Sequence, residues 1–149
     1  MASTWGVPRE TAGEDGGVHV VLWPESFPAE CPPADSVPAR GEFYRLVATA
    51  PPSADDFRNH HELLAAGAVR SRFWSDDCEA AGLSVFSSRE ETEYTRESTG
   101  PMRRKKIARG KLDGLGRMKN TPHPPKKRTH HTWWVPVGDE AWKTFKVVS

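Results

Sequence analysis

The sequence predicts an α+β domain: a curved, mostly antiparallel sheet of about six short strands with two helices. Two observations lead there. Short β-branched and aromatic runs recur without regular helical crossovers between them, which argues against a doubly wound parallel sheet. Helix-start signals followed by helical spacing occur only twice, once early and once near the centre.

A chain of 149 residues forms one domain, able to bury about 68–70% of the surface its unfolded form exposes, so neither metal nor disulfide is required. Six Trp and six Phe supply bulky burial in a chain that is 28% charged, which keeps it out of the disordered class. No apolar run approaches the roughly 20 residues of a membrane helix, and MASTWGVPRETAGEDGG carries acids and glycines where a signal peptide would be basic and then apolar. The expected setting is cytoplasmic, with no membrane partner. Cys31 and Cys78 are the only cysteines; they form no framework and no CxxC metal motif, and their pairing stays open.

Residues 1–17 lack a period and read as a disordered tail, leaving 18–149 as the single domain. VHVVLW (18–23) is a strand. The stretch 24–40, with five prolines between Pro24 and Pro38, reads as an extended strap anchored by Trp23 and Phe27, because each proline removes a backbone donor. EFYRLVAT (42–49) is a buried strand with Phe43, Arg45 and Val47 on one face and Tyr44, Leu46 and Ala48 on the other. Ser53 and Asp56 form a capping pattern ahead of Phe57, His61 and Leu64, predicting a helix that ends near Gly67. AVRSRFWSDDCEA reads as a loop anchored by Phe73 and Trp74. Leu83–Phe86 is a strand running into a helix capped by Ser88 and Glu91, a surface helix whose apolar face is little more than Tyr94 and whose Arg89 pairs with Glu93. KKIARGKL (105–112) is a strand, DGLG a turn, RMKNT a further short strand; THHTWWVPV and WKTFKVV supply the last two.

Charge is divided along the chain. Residues 1–100 hold 8 Lys and Arg against 17 Asp and Glu, net −9; residues 101–149 hold 13 against 3, net +10. Either the two parts pair with each other, or the second forms an electropositive surface that attracts phosphate. In the strand 129–137, alternation puts His131, Trp133 and Val135 on one face and His130, Thr132 and Trp134 on the other. The second face either stacks a flat ring and contacts its polar edge, or lies covered beneath a helix with His130 bonded to a backbone carbonyl. Adjacent histidines point apart in a strand, so no metal is expected. Arg103, Arg104, Lys105, Lys106, Lys126, Lys127 and Arg128 flank this strand as a candidate nucleic-acid surface.

FYRLV, AAGLSVFSSREET and IARGKL together resemble motifs of the ADP-ribosyltransferase superfamily over roughly residues 42–148: an arginine-type first strand, a glycine-led serine strand, and a later Gly-x-Leu segment. The resemblance implies an ADP-ribosyltransferase-like fold, NAD as cofactor, and ADP-ribosyl transfer or NAD glycohydrolysis in a bacterial toxin or defence context. Arg45 would then grip a diphosphate, Ser84 and Ser87 would fix the ribose or its supporting turn, and Tyr44 or Trp134 would stack on nicotinamide. The family's late glutamate has Glu140 as its candidate, with His130 as an alternative acid or base. For Arg45 a structural role, such as a buried salt bridge to Glu62, stands beside the functional one. The competing reading is a non-catalytic module that binds nucleic acid through the basic C-terminal third, or docks on a protein partner.

Overall fold

A computed structural model describes residues 6–12, 18–65 and 76–149. Among the described residues, seven strands, β1 (Gly6–Ala12), β2 (Val18–Pro24), β3 (Val37–Val47), β4 (Leu83–Phe86), β5 (Lys106–Asn120), β6 (His130–Trp134) and β7 (Phe145–Val147), accompany three helices, α1 (His60–Ala65), α2 (Asp77–Ala81) and α3 (Arg89–Ser98). The class is α+β, and every strand pairing among the described residues is antiparallel. β1 and β2 form a hairpin, and the main sheet runs β3-β4-β6-β5-β7. Because β3 also pairs with β5, the strands β3, β4, β6 and β5 close into a ring.

β5 makes this closure work. DGLG does not divide two strands as expected; it bends one long strand, with Gly114 at φ 97° and Gly116 at φ 73°, conformations that cost L-residues dearly. Register against β3 shifts there, from Pro38 opposite Arg117 to Arg40 opposite Asp113, leaving two extra residues on β5 as a bulge. Before the bend β5 pairs with β7, and after it with β6. A Cβ at Gly116 would fall 2.1 Å from the Trp134 carbonyl oxygen, so only glycine lets the two backbones approach.

The interior of the ring holds Phe43, Val47, Leu83, Val85, Leu112, Met118, Trp133 and Phe145. A second cluster, Trp23, Cys31, Ala81 and Trp134, lies on the opposite side of β6, with Phe27 and Cys78 packed against it. The strap forms this second layer: Trp23 and Phe27 stack at 5.8 Å, and a disulfide joins Cys31 to Cys78 on α2. Such bonds persist in oxidising compartments and are rare in reducing ones, which bears on the expected cytoplasmic setting. No helix among the described residues is long and apolar enough to cross a membrane.

Other expectations shift locally. Gly6–Ala12, read as disordered, is a strand whose residues Gly6 to Ala12 oppose Pro24 to Val18, so backbone pairing organises it where no apolar period does. β3 begins at Val37, inside the expected strap, and tolerates Pro38 beside its bulge. Ser53 and Asp56 do cap, but they cap a single 3-10 turn, Ala54–Phe57. Extended backbone at Arg58 interrupts it, and α1 starts afresh where the Asn59 Oδ1 accepts from the Glu62 N–H at 2.9 Å and Glu62 Oε1 accepts from the Asn59 N–H at 3.3 Å. α2 adds a third helix, capped by Asp76, whose carboxylate accepts from the Cys78 and Glu79 N–H groups. The segment 68–75 and Gly67 lie outside the described residues.

Candidate functional site

Arg45 and His130 each touch Ser84, one at its backbone carbonyl and the other at its side chain. Arg45 points from β3 with Phe43 and Val47 and ends at β4: Nη1 donates to the Ser84 carbonyl at 2.8 Å, while Nε and Nη2 donate to the Asp56 carbonyl at 3.0 and 2.8 Å. β3 and β4 share a single registered pair, Tyr44 with Phe86, so Arg45 satisfies a carbonyl that the ladder leaves open. Its guanidinium lies 5.2 Å from the centre of the Phe57 ring. Burial lowers its pKa to about 10, with Asp56 opposing the shift, so the group stays charged at neutral pH. The expected salt bridge to Glu62 is replaced by the backbone carbonyls of Asp56, in the Ala54–Phe57 turn, and Ser84, on β4.

Asp56 organises that turn from the other side. Its carboxylate accepts from the N–H groups of Ala48 at 2.7 Å and Ser53 at 3.0 Å, and from the Thr49 hydroxyl. Burial pushes its carboxyl up, but these bonds outweigh it and hold the group below the usual range. Lys105, nearby, is lowered by burial and then by the charge of Arg45.

On the other face of the sheet, Ser84 Oγ lies 3.0 Å from His130 Nε2. His130 is 3% exposed, and its Nδ1 faces the Thr121 carbonyl at 2.8 Å. Burial depresses its pKa to about 4, so the ring is neutral at physiological pH. Nδ1 therefore carries the proton and donates to Thr121, leaving Nε2 to accept from the Ser84 hydroxyl. Thr121 Oγ1 extends the network to Thr132 Oγ1 at 2.8 Å. This is the geometry in which an imidazole draws a proton from a hydroxyl. Ser84, however, lines neither of the two principal cavities.

The remaining expected residues lie apart from this centre. Trp134 is 1% exposed and donates its indole N–H to the Cys78 carbonyl at 2.7 Å, so α2 and the strap cover the face that a stacked ring would need. Trp133 is equally buried on the opposite face and donates to the Leu115 carbonyl at 2.9 Å. The doubled tryptophans thus serve two cores, one on each side of β6. Tyr44 donates its hydroxyl to Glu42 at 3.2 Å, and Ser87 is exposed at the entry to α3. Glu140 sits on an exposed turn, ion-paired with Lys143, and no described contact joins it to Arg45, Ser84 or His130. Thr121, which orients His130, follows the last residue of β5 and carries no sequence signal of that role. Among the described residues no group of three or more His, Cys, Asp or Glu is arranged to hold a metal ion.

The two basic segments, far apart in sequence, converge on α3. Ser88 Oγ caps this helix by accepting from the Glu91 N–H at 3.2 Å, and the Glu91 carboxylate accepts from the N–H and hydroxyl of Thr129, fastening the helix start to the chain that follows Lys126–Arg128. Tyr94 is 42% exposed, and Lys126 Nζ lies 6.0 Å from the centre of its ring. At the other end, Arg103 Nε donates to the Glu97 carbonyl at 3.2 Å, three residues and thus one helical neighbour from Tyr94. Arg104 and Arg128 are exposed beside them, while Lys105, Lys106 and Lys127 are half-buried. Of the helix acids, Glu93 is offset by Arg89 at 3.2 Å, while Glu91 keeps its charge and accepts from Thr129. Comparison with protein-family models, with curated proteins and with solved structures finds no match to this chain.

Proposed function

We propose that the domain binds single-stranded nucleic acid on the face centred on α3, without catalysis. The observation that carries this reading is the meeting of two basic segments on one helix that bears an exposed aromatic ring: Lys126 lies over Tyr94, and Arg103 is bonded to the Glu97 carbonyl at the helix C-terminal end. Cations for phosphate and a ring for a base are what a sequence-tolerant strand-binding surface needs. The arginines Arg103, Arg104 and Arg128 add forked donors suited to phosphate. Fluorescence anisotropy with a labelled single-stranded oligonucleotide tests the reading, with Tyr94→Ala and Lys126→Glu as the informative variants.

A second reading, NAD engagement with ADP-ribosyl transfer, draws support from the contiguity of Arg45, Ser84 and His130. The one carboxylate close to Arg45, Asp56, is committed to Ala48, Thr49 and Ser53 in the adjoining turn, and Arg45 spends three donors on backbone carbonyls. Nicotinamide release on incubation with NAD, absent in Arg45→Ala, is the result that would favour it.

A further inference from the structure

A cavity of about 390 Å³ opens on the side where the strap meets the turns 54–57 and 141–144, away from the residues of α3. Its walls include three aromatic rings, Phe27, Phe57 and Trp142, each only partly buried. Four charged side chains line it. Arg58 lies 3.7 Å from the exposed Asp55 without a hydrogen bond at its buried Nε, and with Glu62 and Asp139 the lining carries three acids against one cation. Glu62 takes part in the α1 cap through Oε1. Asp139 stands exposed at the rim, where partial desolvation raises its carboxyl pKa.

Aromatic walls with three carboxylates against the single guanidinium of Arg58 favour a ligand of positive charge and apolar body. A ring face attracts a cation by its quadrupole, more so when water is excluded, and a carboxylate at the rim adds Coulomb attraction. The volume falls in the range of small-molecule sites. We propose that this cavity is a binding site for a small organic cation, an amine or guanidine, held between Trp142 and Phe27 with Asp139 as its counter-ion. The site is independent of the nucleic-acid surface, because none of its lining residues belongs to α3 or to the two basic segments.

Titration of the full chain with butylguanidinium, and with neutral butylurea of the same shape, tests the proposal by following the Trp142 indole N–H resonance. Saturable shifts with butylguanidinium, at an affinity about tenfold or more above butylurea, are expected, this being the size of one partly desolvated cation–π contact. Asp139→Asn should lower that preference to the part the rings supply, and Asp139→Glu should keep it. Equal response to both probes, no saturation, or an unchanged preference in Asp139→Asn overturns the proposal. Oligonucleotide anisotropy on the same samples should be unaffected by any of these variants, so failure of one site is distinguishable from failure of the other.

Discussion

Nη1 of Arg45 donates to the carbonyl of Ser84 at 2.8 Å, across a gap where β3 and β4 share only one registered pair. The guanidinium therefore acts as a piece of the sheet, standing in for a ladder that the strands do not complete.

Arg45→Met retains the length and removes the donors, stranding the carbonyls of Ser84 and Asp56. Each unsatisfied buried acceptor costs about 1–3 kcal/mol, so urea unfolding should show a loss of about 2–6 kcal/mol. Arg45→Lys should recover only part of this, since one ammonium cannot span both carbonyls in the forked geometry. An Arg45→Met variant as stable as the parent contradicts the structural role.

His130 predicts a pH-dependent stability. Its folded pKa, about 4, lies below the ordinary 6.5, so between those values the unfolded chain binds more protons and stability rises with pH. The contribution is fully present above pH 6.5 and is lost as the pH falls toward 4, on the order of 3 kcal/mol in total. Asp56 acts in the same direction at lower pH: its depressed carboxyl contributes stability above the unfolded value of 3.8, lost as the pH falls through its folded pKa. Melting curves at intervals from pH 7 to 4 should slope downward for the parent. In His130→Gln that slope should flatten, the Asp56 contribution falling below this range; an unchanged slope contradicts a buried neutral imidazole.

The fold was legible where local chemistry decided it, and less so where tertiary contact did. Leu83–Phe86 and the Ser88 cap with its Arg89–Glu93 pair could be read from spacing, and both lie where expected. DGLG could not, because turn residues also bend a continuous strand, and only pairing with β3, β6 and β7 reveals which they do. Alternation along β6 separated Trp133 from Trp134 correctly. What covers the second face depends on Cys31 and Cys78, 47 residues apart, a relationship that no local period records. Tyr94 was visible as an isolated aromatic on a polar helix, but its partner Lys126 arrives from a loop 32 residues later.

The Cys31–Cys78 disulfide closes a loop of 47 residues, for which the chain-entropy model gives a stabilisation of about 4 kcal/mol. Reduction by dithiothreitol should lower the unfolding midpoint accordingly. Tryptophan emission should change with it, because Trp134 is bonded to the Cys78 carbonyl and packs with Cys31. A midpoint that reductant leaves untouched argues that the strap is held by Trp23 and Phe27 alone.

Salt dependence of binding to a single-stranded oligonucleotide bears most directly on the central claim. Engagement of about four phosphates predicts a slope of log K against log salt near −3, and Lys126→Glu combined with Arg128→Glu should shrink it by about 1.4 or more. Tyr94→Ala should weaken binding by about 1–3 kcal/mol while leaving the slope nearly intact, since a stacked ring carries no counter-ion. A parent slope near zero, or a Tyr94→Ala variant indistinguishable from the parent, contradicts a nucleic-acid surface on α3.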